Sequence, residues 1–358
     1  MTDLGFYKGR KVLLTGHTGF KGSWASVVLA NKGARVIGYS SCSKAEMRLF
    51  DICGIRGEVA HVKGDIRDLE SLWAVFDEYQ PEVVIHMAAQ PIVREGYENP
   101  VGTYETNVMG TVNVLDCVRR SSSVKSFLNV TTDKVYANRE WEWGYREIDP
   151  LDGFDPYSNS KSCSELVTHS YKNSFFSDKR VAISTARAGN VIGGGDFAKD
   201  RIIPDCVRAA LAHGAIVVRN PHSIRPYQHV LEPVFVYLMI AARQYENCDL
   251  AGWYNVGPDE TDCVQTGALV ELFAQHWGES FRWVERHDGG PHEASFLRLD
   301  SNRLKSTFGW KSRWDIDTAV AKTVEWTKCW RDGGDVRTCM NRQIEEYIGG
   351  VPIDLSRP

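Results

Sequence analysis

Lys11-Val12-Leu13-Leu14-Thr15-Gly16-His17-Thr18-Gly19-Phe20-Lys21-Gly22 decides the fold. An apolar, strand-like run passes directly into a G-x-x-G-x-x-G turn, and a helical segment from about Phe20 to Asn31, stopped by Gly33, comes next. The glycines permit a tight turn and close backbone approach. A helix opening there presents unpaired N–H groups and partial positive charge to a pyrophosphate. The same glycine pattern also suits a plain strand-to-helix corner, so its weight comes from the segments downstream of it.

Outward from that turn, β-branched runs alternate with amphipathic segments: RVIGY, Val59 to Val62, a helix over Leu69 to Tyr79, EVVIHMA, a helix over Val101 to Arg120, KSFLNVTT, a helix after Pro156, and VAISTARAG. Parallel strands need right-handed crossovers, so this rhythm predicts an α/β fold with a doubly wound, Rossmann-type parallel sheet. After Gly189 the rhythm weakens into GNVIGGGDF, RNPHSIRPYQHV and a mixed final third, which suggests a smaller C-terminal substrate-binding lobe. The apolar segment Pro233 to Ala242 and the strand-like WYNVG return to the main sheet, making that lobe discontinuous. The expected division is 1–187 with 230–262 for the dinucleotide, and 188–229 with 263–358 for the substrate.

The 358 residues, 43% hydrophobic and 25% charged, suffice for one large core and a smaller lobe. A net charge of -4 gives no global attraction to nucleic acid or anionic membrane. Nine cysteines stand singly without C-x-x-C or Cys/His spacing, which indicates neither a disulfide framework nor a metal. MTDLGFYKGR lacks the apolar stretch of a signal peptide, and the longest apolar run, Val234 to Ala242, falls short of the roughly 20 residues of a membrane helix. The expected location is the cytoplasm.

An acidic residue is expected some 20 residues beyond the glycine turn to hold a ribose 2′-hydroxyl, yet RVIGY runs into Ser40, Ser41 and Cys42. The absence of arginine directly at the strand end favours NAD. Its neutral end also leaves NADP open, with Lys44 or Arg35 as cations. Asp65, with Ile66 next to it after the third strand, offers a carboxylate to an adenine amino group, or caps a turn. Tyr157 and Lys161 lie one helical turn apart after Pro156, where an ammonium and the helix N-terminus lower a phenol's pKa toward use as a base. Such a spacing is also common on surface helices. Two neighbours strengthen it here: Thr132, Asp133 and Lys134 come after a strand at the ligand-binding end of the sheet, and small Ala88 and Ala89 let a flat ring approach. The stretch Trp141 to Tyr145 fits packing better than a stacking platform.

These residues resemble a known family. Gly16, Gly19 and Gly22, Asp65, His86-Met87-Ala88-Ala89-Gln90, Asn107, Thr132-Asp133 and Tyr157/Lys161 match the extended short-chain dehydrogenase/reductase pattern over nearly the whole chain. Within it, GHTGFKGSW, TTDKVY and RPYQHVL are similar to the nucleotide-sugar 4,6-dehydratases, and most to the branch acting on CDP-D-glucose. The resemblance implies NAD held by Gly16, Thr18, Gly19, Phe20, Gly22, Ser40, Asp65, Ile66, Ala88, Ala89, Gln90, Asn107, Tyr157 and Lys161. It implies a redox-neutral reaction in which C4 is oxidised, water leaves across C5 and C6, and hydride returns to C6. Tyr157 then serves as the C4 base, tuned by Lys161, while Thr132 holds the C4 oxygen and Asp133 protonates the departing hydroxyl. Family members mostly carry glutamate as the C5 base where this chain has Lys134, so Lys134 is that base, a cation beside the enolate, or a strand-end lysine facing solvent. Gln90, Asn190, Arg201, Arg225, Tyr227, Gln228 and His292 are the implied contacts to the nucleotide diphosphate sugar. A homodimer or homotetramer is implied, paired through the helices beginning near Val101 and Tyr157. A 4-epimerase or reductase of the same fold would share Tyr157 and Lys161 without needing an acid at Asp133, and a non-catalytic NAD(P) sensor would need neither.

Overall fold

Alternation within the strands explains the layers. In β1 (Lys11–Thr15), Val12 and Leu14 face one core while Leu13 faces another; in the later strand Val83–His86, Val83 and Ile85 oppose Val84 in the same way. Strands buried on both faces belong in a parallel sheet covered by helices on each side. The computed structural model describes residues 4–41, 48–178, 180–278, 282–286, 289 and 294–349. It contains this sheet: β1, β2 (Arg35–Ser40), β3 (Val59–Lys63), β4 (Val83–His86), β5 (Ser126–Thr132), β6 (Ala182–Ala188) and the strand Trp253–Val256. From one edge the order is β3-β2-β1-β4-β5-β6 and then Trp253–Val256, seven strands, all parallel.

Helices Phe20–Asn31, Leu231–Glu246 and Val336–Gly349 supply the core on one face through Trp24, Val28, Val234, Leu238, Met340 and Ile344. Helices Leu69–Tyr79, Gly110–Arg120 and Pro156–Phe175 cover the other; Leu72, Phe76, Val114 and Val118 lie in its core. The Phe20–Asn31 and Leu69–Tyr79 helices have the bounds read from periodicity. The segment expected as one helix from Val101 is less regular. Pro100–Tyr104 passes through a π turn at Glu105–Met109 before Gly110–Arg120, and a separate short helix, Val93–Glu98, precedes it. A π turn inserts an extra residue into the helix, which no apolar period reveals.

A separate core, Ile203, Cys206, Ile216, Leu269, Phe273, Val320 and Val324 among others, lies in the segments beyond the β6 end. Two short strands, Val191–Ile192 and Gln228–His229, pair parallel to each other beside it. The functional cleft opens between this lobe and the C-terminal ends of β4, β5 and β6.

Candidate functional site

The cofactor end is built by close contact. Gly16 has φ +77° and donates its N–H to the Tyr39 carbonyl at 2.8 Å. A Cβ on Gly16 would lie 2.8 Å from the Ala88 nitrogen, and one on Gly22 only 2.2 Å from the Gly16 carbonyl oxygen. Only glycine fits such approaches without moving the backbone. The Phe20–Asn31 helix begins without a side-chain cap, so its first N–H groups are left to a ligand. The cradle and uncapped helix start fit a dinucleotide pyrophosphate. Beside them, the Thr18 and Ser40 hydroxyls are hydrogen-bonded at 2.8 Å. Asp65 is paired with Arg67 at 2.7 Å, and hydrogen bonds from Arg67 hold its carboxyl below the usual carboxylate range.

The opposite end of the cleft depends on the start of the Pro156–Phe175 helix. Pro156 occupies its first turn, and the Asp155 carboxylate accepts from Ser158 N–H at 3.0 Å. That cap sets Tyr157 and Lys161 one turn apart, both buried, against the end of β5. Thr132 ends the strand. Its hydroxyl donates to Asp133 Oδ1 at 3.0 Å, and Tyr157 lines the same cleft. Asp133 Oδ2 is buried without a partner among the described residues, and burial raises the carboxyl's pKa against the opposing charges of Lys134 and Arg225. Thr132, Asp133, Lys134, Tyr157 and Lys161 all line a cleft of about 680 Å³.

One sequence expectation is reversed in the protein alone: the phenol is not acidified. Burial pushes Tyr157 up to about 12, outweighing the Thr132 hydroxyl and the charge of Arg201. Lys161 donates instead to the Val130 carbonyl at 3.1 Å, and burial with the nearby Lys21 charge brings its pKa down to about 8. Desolvation penalises both charged forms, so helical spacing alone does not produce a phenolate.

Of the expected substrate contacts, Asn190, Arg201, Arg225 and Tyr227 reach the cleft. Arg201 shares its guanidinium with Asp196 at 2.9 Å, and Arg225 donates to the backbone carbonyls of Ile224 and Ala294. Tyr227 O–H bonds Thr266 at 3.0 Å. Phe20 and Ala89 also line the cleft. Gln90, Asn107, Ile66 and Gln228 are engaged by the protein instead. Gln90 donates to Thr103 at 2.8 Å and accepts from Ile92 N–H at 2.5 Å. The Asn107 amide, carried on the π turn, accepts from Gln90 N–H at 2.8 Å and donates to Ser160 at 2.9 Å. It thereby ties the β4 loop to the Tyr157 helix. Ile66 packs on Gly110, and Gln228 donates to the Val256 carbonyl at 2.8 Å. His292 and Lys44 lie outside the described residues. Trp141, Tyr145 and Tyr136 form a stack with centroids 5.5 and 5.2 Å apart, which is packing.

Two groups went unread in the sequence. Lys21 stands inside the glycine turn yet lines the same cleft as Tyr157, its ammonium 6.0 Å from the Tyr237 ring and its pKa lowered to about 8 by burial and Arg201. Its place in the quoted turn was the available signal. Glu165, one turn beyond Lys161, bonds Arg187 at 2.9 Å and accepts from Thr131 and Thr185 at 2.5 and 2.8 Å, fixing the ends of β5 and β6. Nothing local marks such a buried pair in a sequence.

Comparison with known proteins adds three findings. Residues 13–323 match the family model described as GDP-mannose 4,6 dehydratase. The chain is 44% identical, over 98% of its length and 99% of the relative's, to CDP-glucose 4,6-dehydratase of Salmonella typhimurium. Among solved structures, it is similar to dTDP-glucose 4,6-dehydratase of Bacillus anthracis in complex with NAD (TM-score 0.77, 21% identity, 91% of this chain and 99% of that one). It is also similar to dTDP-glucose 4,6-dehydratase of Streptomyces venezuelae with NAD bound (0.78, 23%, 91% and 99%). Both structures share the fold described above.

Proposed function

The chain belongs to the GDP-mannose 4,6 dehydratase family, and we propose that it is a hydro-lyase converting CDP-D-glucose to CDP-4-keto-6-deoxy-D-glucose and water. One observation carries dehydration over epimerisation or simple reduction. Asp133 presents a buried carboxylate oxygen without a partner among the described residues, in the same cleft as Tyr157. Exchange of configuration at C4 needs no such acid; loss of a C6 hydroxyl does. The 44% identity to a CDP-glucose enzyme supports the cytidine substrate.

NAD is the cofactor this fold supports, and when bound it supplies a hydride acceptor for C4 and a hydride donor for C6. Gly16, Gly19, Phe20 and Gly22 would hold its pyrophosphate, and Thr18 and Ser40 would offer hydroxyls to its ribose. Tyr157 takes the C4 hydroxyl proton, Lys161 tunes it, and Thr132 holds the C4 oxygen. A ketone at C4 makes the C5 proton acidic. Asp133 then protonates the departing C6 hydroxyl, and Lys134 acts at C5 as base or as cation beside the enolate. C5-proton exchange in Lys134→Ala separates the two: normal exchange removes Lys134 as the base. Asn190, Arg201, Arg225 and Tyr227 receive the nucleotide diphosphate.

In this assignment residues 1–187 and 230–262 bind the dinucleotide and 188–229 with 263–358 bind the nucleotide sugar. The strand Trp253–Val256 in the main sheet supports the first, and the separate core around Phe273 supports the second, although Val336–Gly349 packs on the first core. A homodimer forms through the two helical segments flanking the cleft. Val101, Met109, Leu166 and Phe175 are large apolar side chains left exposed on them. Among the described residues no helix is long and apolar enough to cross a membrane, and all eight described cysteines are free, which supports a reducing cytoplasm. Mass spectrometry of the product tests the assignment. A product lighter by one water, with no net cofactor consumption, is expected; an epimer of unchanged mass refutes dehydration.

A further inference from the structure

Arg94, Asp200 and Arg219 all line the cleft, and none of them is among the substrate contacts expected from the sequence. Arg94 comes from the helix Val93–Glu98 after β4, on the dinucleotide side. Arg219 follows directly on the strand Ile216–Val218, whose Ile216 and Val218 belong to the separate core of the substrate lobe. Between them runs the loop that leads into the helix Ile202–Leu211. Asp200 Oδ1 in that loop lies 3.0 Å from Arg219 Nη1 and 3.8 Å from Arg94 Nε, so one carboxylate oxygen joins cations from the two lobes. Arg219 Nη2 also donates to the Asp200 carbonyl at 3.3 Å.

We propose that Arg94 and Arg219 are further diphosphate-binding residues, and that Asp200 holds their site as an internal stand-in for phosphate, which the nucleotide diphosphate sugar displaces; the inference rests on the nucleotide-sugar assignment. Carboxylate and phosphate oxygens accept the same charge-assisted hydrogen bonds from a guanidinium. A diphosphate offers more negative charge and more acceptor oxygens than one carboxylate. Two arginines gathered on a single carboxylate oxygen are therefore already arranged for it. Binding then draws a cation from each lobe onto one ligand, which closes the mouth of the cleft over the sugar.

Exposure decides which acid of this loop can let go. The Asp200 side chain is 39% exposed and its partners 28% and 25%, and ion pairs so placed shift an equilibrium by about fivefold or less each. Asp196, only 6% exposed, bonds Arg201 at 2.9 Å and accepts from Ala198 N–H at 3.2 Å, so it belongs to the frame of the loop. When the Asp200 carboxylate is displaced, the bond to the Asp200 carbonyl still keeps the Arg219 guanidinium at the cleft. Asp200 has φ +60°, in the left-handed region where asparagine is accepted as readily as aspartate. Asp200→Asn therefore keeps the backbone, the carbonyl bond and the side-chain shape, and removes the charge.

Binding of CDP and of cytidine to the full chain would be measured by isothermal titration calorimetry. Asp200→Asn should tighten CDP by about three- to twentyfold and move cytidine, which carries no phosphate, by less than about twofold. Arg94→Gln and Arg219→Gln should each weaken CDP by about fivefold or more, because a hydrogen bond to a charged group is worth more than the exposed pair it replaces. With both arginines replaced, Asp200→Asn should no longer tighten CDP. CDP binding left unchanged or weakened by Asp200→Asn would overturn the proposal, since Asp200 would then be orienting the arginines or doing nothing to them. An equal gain for cytidine, or the same gain for CDP without the two arginines, would overturn it as well, because the effect would then be one of general charge. A wild-type protein that binds neither CDP nor cytidine would instead remove the nucleotide-sugar premise, and this site with it.

Discussion

Glu165→Gln should destabilise the protein more than any single substitution at the cleft surface. Both side chains of the Glu165–Arg187 pair are fully buried, with Nη2 2.9 Å from Oε2. Gln keeps the shape and can still accept from Thr131, yet it strips the charge that compensates a guanidinium otherwise bonded only to the Tyr136 hydroxyl and the Glu147 carbonyl among the described residues. Breaking a buried pair from one side costs about 3–5 kcal/mol. With an unfolding entropy of about 2.1 cal/mol/K per residue, the whole chain gives about 0.75 kcal/mol/K, so Tm should drop by about 4–7 °C. The acid limb carries a second signature. Although burial opposes it, the Arg187 charge holds the Glu165 carboxyl well below the usual carboxylate range. Between the two pKa values the unfolded chain binds the extra proton, so this contribution is complete above the ordinary glutamate pKa and is lost as pH falls through the lower folded value. Glu165→Gln should therefore flatten the fall of stability on acidification. Thermal unfolding by circular dichroism from about pH 7 down to about pH 2, which crosses the ordinary carboxylate range and enters the region below it, would measure both effects. Replacing both partners by apolar residues, Glu165→Leu with Arg187→Met, should recover at least half of the loss. A single variant within about 1 °C of wild type, or a double variant as unstable as the summed singles, would refute this account of the pair.

Gly22→Ala places a Cβ 2.2 Å from the Gly16 carbonyl, so NAD affinity measured by calorimetry should weaken at least about tenfold, or about 1.4 kcal/mol, while the far-ultraviolet spectrum is unchanged. Tyr157→Phe removes the proposed C4 base and should lower turnover by about 10²–10⁴-fold, with no transient absorbance of reduced cofactor. Asp133→Asn leaves that base in place, so the transient should appear and persist while product formation stalls. Met109→Asp, on the exposed apolar face, should shift the protein toward monomer in analytical ultracentrifugation without altering its thermal unfolding by more than about 0.5 kcal/mol.

Much of the scaffold was legible in the amino-acid order because its causes are local. Period-two burial marked the strands, and glycine chemistry marked the turn after β1. The four-residue spacing of Tyr157 and Lys161, with Pro156 before them, placed both on one helical face. The TTDKVY run at the end of β5 likewise pointed to the cleft, since chain direction sets the ligand end of a parallel sheet. What the sequence left undecided was the partner of each polar group. Asn107, Gln90 and Gln228 are acceptable ligand donors by residue type, but Thr103, Ser160 and the Val256 carbonyl claim them, through contacts between segments distant along the chain. Lys161 was expected to acidify Tyr157, yet it bonds Val130, and burial, which exists only once both lobes are packed, raises the phenol. The bond from Thr132 to Asp133 joins adjacent residues, but the cleft it faces is completed by Tyr157 from another element. Backbone conformation is set mainly by near neighbours, whereas desolvation and hydrogen-bond pairing depend on everything the fold brings within a few ångströms. For that reason sequence alone determined the sheet, the turn and the helical spacing of Tyr157 and Lys161, and tertiary structure alone decided the partners of their polar groups.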